Sequence, residues 1–199
     1  MAQAPVPFIG LTGGLGAGKS TALAALGRLG AEVLSSDAVV HELYEGQQLR
    51  EAVVARFGPQ VAPGGVVDRA AVAERAFASP EERAWLEGVV WPLVGARVAA
   101  WLELARARRP PPRAAVVEVP LLFEAGLQDA YDATIAVIAD EGIRTQRAAA
   151  RGHRALAERT ARQLSQDEKA QRATCSVVND GTEAELEAKL SAILDRLCR

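Results

Sequence analysis

The chain has 199 residues, 49% apolar, 24% charged and 5% aromatic, with a formal net charge of −2. These proportions exclude bulk disorder, and the length supports one core burying roughly 70% of its unfolded surface, with small appendages rather than a second full domain. The near-neutral charge argues against a surface built to coat nucleic acid or anionic membrane, and two cysteines, Cys175 and Cys198, are too few for a disulfide framework and lack metal-ligand spacing.

Val6 to Thr12 is a nearly continuous apolar run ending in glycines, which predicts a short buried strand. Ser20 to Leu29 then takes up helical spacing through Leu23, Leu26 and Leu29, with Gly30 as its stop. Ala31 to Leu34 predicts a second strand that delivers Ser35, Ser36 and Asp37 at its carboxyl end. No strand signal follows from His41 to Arg113. The best helix there opens at Ser79-Pro80-Glu81-Glu82, a capping box with proline in the first turn, and continues as an apolar stripe through Leu86, Val89, Val90, Leu93, Val94, Val98 and Trp101, with Pro92 expected to kink it. Trp85, Trp91 and Trp101 are expected to serve helix packing. Pro110-Pro111-Pro112 closes the insert as a stiff return.

Ala114 to Val119 and Ala133 to Ala139 predict the third and fourth strands. Asp140 to about Thr174 is rich in arginine, with Arg144, Arg147, Arg151, Arg154, Arg159, Arg162 and Arg172. Ser176 to Val178 predicts a last strand, and Thr182-x-x-Glu185 caps a closing helix striped by Leu186, Leu190, Ile193, Leu194 and Leu197. Strands alternating with helices point to an α/β fold with a parallel, doubly wound sheet, whose ligands sit beyond the carboxyl ends of the strands. The amino-terminal residues carry no positive charge ahead of an apolar run, and no stretch reaches ~18 uninterrupted apolar residues. The expectation is a cytoplasmic protein without membrane or nucleic-acid partners.

Gly13-Gly14-Leu15-Gly16-Ala17-Gly18-Lys19-Ser20 matches G-x-x-x-x-G-K-[ST] between a predicted strand and a predicted helix. The glycines let the backbone fold into a nest of N–H groups around phosphate oxygens, and the helix start adds its positive end. In that arrangement Lys19 reaches the β- and γ-phosphates of ATP, Ser20 coordinates Mg²⁺, and Thr21 donates to the α-phosphate. Only Lys19, Lys169 and Lys189 are lysines in a chain that otherwise uses arginine, and the loop is where a slim point charge fits better than a planar guanidinium. None of the three follows an asparagine, so the N-K-x-D motif of guanine-selective switches is absent. Phosphoryl transfer to a small acceptor needs a group beside the attacking hydroxyl, cations on the transferring phosphoryl and a lid that excludes water. Asp37 suits the first task, with capping of the following helix as the alternative. Arg147 and Arg151, four apart on one helix face, suit the others.

The string from Ile9 to Thr21, the Asp37 region, Asp68-Arg69 followed by Phe77, Ser79-Pro80-Glu81-Glu82, Val119-Pro120-Leu121-Leu122-Phe123-Glu124, Arg162-Gln163 and Asn179-Asp180-Gly181 resemble, in order and spacing, the dephospho-CoA kinase family. The resemblance spans nearly the whole chain. It implies an adenylate-kinase-like P-loop core (residues 1–40, 113–139 and 175–199), a helical acceptor-binding insert (41–112) and an arginine-rich lid (140–174). It further implies that the γ-phosphoryl of ATP passes, with Mg²⁺, to the ribose 3′-hydroxyl of dephospho-CoA, the last step of coenzyme A synthesis. Carried over by position, Asp37 is the base, Arg69, Leu121, Leu122 and Glu124 serve the acceptor, Arg147 and Arg151 belong to the lid with Arg151 on ATP, Asn179 lies near adenine, and Glu118 holds Mg²⁺ through water. The chain departs from the family pattern at Ser35-Ser36-Asp37, which keeps one acid of a common pair, and at Trp91-Pro92, where His-Pro is usual. Another small-acceptor kinase, for a nucleoside monophosphate or a sugar, and an ATP-sensing module without transfer are the competing readings.

Overall fold

The computed structural model describes residues 6–150 and 163–198. Five strands form one sheet: β1 (Phe8–Gly13), β2 (Glu32–Ser35), β3 (Ala115–Glu118), β4 (Ala133–Ile138) and β5 (Cys175–Val178). Their order is β2-β3-β1-β4-β5, every pairing is parallel, and β1 lies at the centre with Gly10 opposite Val117 on one side and Thr134 on the other. Parallel strands covered on both faces lack polar alternation, which is why β1 and β3 are buried at every position. Each strand lies within one or two residues of its predicted span. The chain has an α/β fold built on one parallel sheet.

The backbone divides into two compact units, one formed by Met1–Ser35 with Leu102–Arg199 and the other by Ser36–Trp101. In the first, α1 (Lys19–Arg28) and α8 (Glu183–Leu197) pack Ala22, Leu26, Leu186, Leu190 and Leu194 against Ile9, Leu11, Val116, Ile135 and Val177. α8 starts at the predicted capping box: the Thr182 hydroxyl accepts from the Glu185 amide at 3.2 Å, and the Glu185 carboxylate accepts from the Thr182 amide at 2.8 Å. Arg28 and Arg113 tie the outer surface of this layer to Glu187 and Asp195 through ion pairs of 2.6 Å. The helices α6 (Glu141–Ala150) and α7 (Gln166–Arg172) complete the described part of this unit, together with the lower end of α5 (Pro80–Ala107).

The second unit is helical throughout: α2 (Ser36–Glu45), α3 (Gln47–Phe57), α4 (Arg69–Ala76) and most of α5. Its core is Leu49, Val53, Val61, Val72 and Val90, with Trp85, Leu86, Val89, Leu93 and Val94 from the predicted stripe packed around it. The Ser79 hydroxyl accepts from the Glu82 amide at 3.2 Å, as the capping pattern requires. α5 continues through Pro92 as one 28-residue helix. Trp85 packs edge-on to Phe57, with ring centroids 5.2 Å apart, whereas Trp91 is exposed.

By length and composition α5 also suffices to cross a membrane, with mean hydropathy 1.3 in its most apolar window. It contains no uninterrupted apolar run of that length, because a few charges are scattered among alanine, valine, leucine and tryptophan.

Candidate active site

The phosphate loop begins where the central strand ends. Gly13 closes β1, Gly18 caps α1, and Lys19 is the first helical residue. Between them the outward carbonyls are held by protein donors. The Lys19 Nζ donates to the Gly14 oxygen at 3.2 Å, as does the Ala17 amide at 3.2 Å. Arg144 Nε donates to the Leu15 oxygen at 3.0 Å, and Asn179 Nδ2 donates to the Ala17 oxygen at 2.8 Å. In a trans peptide the N–H points opposite to its C=O. Fixing these carbonyls therefore turns the N–H groups of Leu15, Gly16 and Gly18 away from the Lys19, Arg144 and Asn179 donors.

Three loop positions strongly favour glycine, Gly13 among them, with φ +153° and the Val137 backbone carbonyl where a Cβ would stand. Gly16 has φ +77° and Gly18 has φ +91°, and a Cβ there would run into the Arg144 backbone carbonyl and the Asn179 amide respectively. The motif's glycines thus serve both the loop's own turn and the approach of α6 and the residue after β5.

Ser20 is exposed in the first turn of α1, with Thr21 half-buried beside it. Glu118 is buried at the end of β3, where it pairs in register with Leu11 and Ser35. A serine hydroxyl with one carboxylate is an all-oxygen, sparse donor set, the kind that suits Mg²⁺ held mainly by substrate phosphates and water.

Arg147 donates from Nη1 to the Asn179 backbone oxygen at 2.9 Å, so the first half of the arginine-rich segment is fastened to the loop by Arg144 directly and by Arg147 through Asn179. Arg151 lies outside the described residues. Asn179, buried and spent on Ala17, follows β5, and its own amide donates to the Ile138 oxygen at 2.8 Å.

After β3 the chain turns through Pro120. Leu121 is exposed, whereas Leu122 is fully buried with its Cδ1 against Gly10 of β1. Glu124 makes a buried ion pair with Lys169 of α7 at 2.8 Å. Lys169 has no exposed side-chain surface, and burial pulls its pKa below the ordinary lysine value despite the hydrogen bond and charge of Glu124.

In the helical unit, Asp37 is the second residue of α2 and is exposed. Arg69 opens α4, whose cap Asp68 accepts from the amides of Ala70 and Ala71. The Arg69 guanidinium contacts His41 Nδ1 and lies 5.7 Å from the Tyr44 ring centroid. Of the residues expected from sequence, the structure thus joins the loop, Arg147 and Asn179 through direct bonds, places Glu118 at a strand end, and gives Glu124 a partner from α7.

Composition alone does not single out Arg144 or Lys169. Arg144 was one arginine among many in its segment, and Lys169 carries no motif. The sole signal for Lys169 is that it is one of three lysines in an arginine-using chain.

A family model described as dephospho-CoA kinase matches residues 7–185. The dephospho-CoA kinase of Deinococcus radiodurans is 38% identical, over 99% of this chain and 99% of its own. The chain belongs to the dephospho-CoA kinase family. The dephospho-CoA kinase of Symbiobacterium thermophilum is likewise 38% identical, over 96% of this chain and 81% of that protein. Among solved structures, TT1252 from Thermus thermophilus aligns with TM-score 0.79 and 36% identity, covering 98% of this chain and 99% of that one. The dephospho-CoA kinase of Campylobacter jejuni shares the fold at TM-score 0.70 and 21% identity, with 96% of each chain covered.

Proposed function

We propose that this member of the dephospho-CoA kinase family catalyses ATP-dependent phosphorylation of dephospho-CoA at the ribose 3′-hydroxyl, giving coenzyme A. The observation that carries the kinase chemistry is the phosphate loop with its outward carbonyls tied down. Such a loop is organised before ATP arrives, so little reorganisation is needed when charge develops on the transferring phosphoryl.

In this reading the loop from Gly13 to Gly18 receives the polyphosphate through the amides of Leu15, Gly16 and Gly18, Lys19 lies on the β- and γ-phosphates, and Thr21 donates to the α-phosphate. Ser20 and, through water, Glu118 would hold Mg²⁺, which supplies neutralisation of phosphate charge when bound. Arg147 and Arg151 are assigned to the transferring phosphoryl, Arg151 also to ATP binding, and Asn179 to the edge of the adenine site. Asp37 orients the acceptor hydroxyl and takes its proton as the oxygen attacks the γ-phosphorus in line with the departing ADP oxygen.

Residues 41–112 are assigned to the acceptor, with Arg69 as a counter-charge to its phosphates, and residues 140–174 to a lid that closes over ATP. Leu121 offers exposed apolar surface to the acceptor, Leu122 supports that turn from the core, and Glu124 accepts a hydrogen bond. The setting is the cell interior, where ATP and the acceptor are found.

The test supplies ATP separately with dephospho-CoA, AMP, UMP and gluconate and follows ADP formation. Phosphorylation of dephospho-CoA alone is expected, and turnover confined to the other three overturns the assignment. Asp37→Asn is expected to lower kcat by ~10²–10⁴-fold while ATP affinity persists. Unchanged kcat would return Asp37 to a helix-start role.

A further inference from the structure

A charged pair in a protein interior is costly unless its hydrogen-bonding capacity is used. Lys169 and Glu124 use theirs unevenly. The Lys169 ammonium donates to the Pro120 carbonyl at 2.7 Å, pairs with Glu124 Oε1 at 2.8 Å and reaches Thr12 Oγ1 at 3.5 Å. Oε1 also accepts from the Leu164 amide at 2.8 Å. Glu124 Oε2 is buried and has no hydrogen-bond partner among the described residues.

A buried ion pair is by itself weak evidence of a stabilising role, and the unpartnered Oε2 is a cost that the three bonds of the ammonium leave in place. Its position suggests another role. The ammonium lies where three segments meet: Thr12, one residue before the phosphate loop, the turn from Pro120 to Glu124 beyond β3, and α7. α7 is itself pinned to the sheet by Gln166, whose side chain bonds both the amide and the carbonyl of Ala139 at 2.9 and 2.8 Å. The two shorter Lys169 contacts both go to the Pro120 to Glu124 turn.

We infer that Lys169 is a positioning residue for the acceptor: its ammonium fixes the turn after β3 by both ends and orients Glu124 so that the second carboxylate oxygen is kept for a donor group of the bound acceptor. The inference rests on the reading that this turn receives the acceptor. Lys169 itself touches neither substrate. A lone buried carboxylate oxygen is a strong acceptor aimed in a fixed direction, and an N–H or O–H of the acceptor relieves it on binding.

Steady-state kinetics on the full-length protein, with ATP and dephospho-CoA varied in turn, tests this. Lys169→Met is expected to raise KM for dephospho-CoA about tenfold or more, the scale of a lost hydrogen bond to a charged group, while KM for ATP moves less than about threefold. Lys169→Arg restores most of the loss. In a Glu124→Gln background, Lys169→Met adds less than about twofold, because the oxygen it positions is gone. If the methionine variant does not fold, Lys169→Gln, which retains a donor toward Pro120, enters the same comparison.

A parallel rise in both KM values, or an effect undiminished in the Glu124→Gln background, overturns the inference. So does an unchanged KM for dephospho-CoA in the Lys169 variants when Glu124→Gln alone raises it. An unaltered KM in Glu124→Gln itself refutes the acceptor reading of the turn, and the inference falls with it.

Discussion

At Gly18 a single absent methyl group links the loop to the far edge of the sheet. The left-handed backbone there and the contact with the Asn179 amide are both lost to any side chain. Gly18→Ala is therefore expected to cost ~1–3 kcal/mol of stability in denaturant unfolding, and displacement of Asn179 from Ala17 should weaken ATP binding about tenfold for each 1.4 kcal/mol transferred to the loop. An alanine variant that binds ATP as the native protein does would contradict the geometry. The loop motif was legible in the sequence because its spacing is dictated by phosphate size and helix geometry, which are local. Arg144 was not, because its value comes from a carbonyl of Leu15 brought to it across 129 residues. No short-range pattern separates it from the solvated arginines around it.

The elements were readable where their ends carry their own chemistry. Thr182 and Glu185 specify the start of α8 within four residues, and the hydrogen bonds from the Thr182 amide and hydroxyl hold the Glu185 carboxyl below the usual glutamate pKa. A carboxyl depressed in the folded state contributes stability that is full above the unfolded glutamate value and is lost as pH falls through the folded value. Thr182→Ala removes the hydroxyl bonds but keeps the amide bond, so it should destabilise the protein at neutral pH and make the acid limb only partly shallower, whereas Glu185→Gln should remove this contribution to the acid limb, measured by thermal unfolding across that range. The apolar stripe of α8 is equally direct. Leu190 is fully buried against the sheet, and Leu190→Ala should cost ~2–5 kcal/mol, with a much smaller loss pointing to a collapsing cavity. α5 is the element least completely legible from local signals. Its capping signal and stripe are local, whereas its apolarity shows only as an average over its most apolar window and not as an uninterrupted run.

For the molecule as a whole, binding energy at the loop feeds directly into the stability of the unit that contains it. ATP at 100 times its Kd is expected to stabilise that unit by about 2.7 kcal/mol, raising Tm by roughly 5–10 °C at the usual sensitivity of a chain this size. Lys19→Ala should abolish most of the shift, and a shift that survives it would place nucleotide binding elsewhere. The sequence by itself determined the phosphate loop, the five strands, the capped helices and the family resemblance, since each rests on contacts between near neighbours or on a pattern that repeats along the chain. Only tertiary structure decided the strand order around β1, the fastening of the loop by Arg144 and Asn179, the burial of Leu122 against Gly10 and the Lys169–Glu124 pair. Those depend on which distant groups the packed sheet brings within bonding distance, and on the strength that a charge acquires once water has been removed from around it.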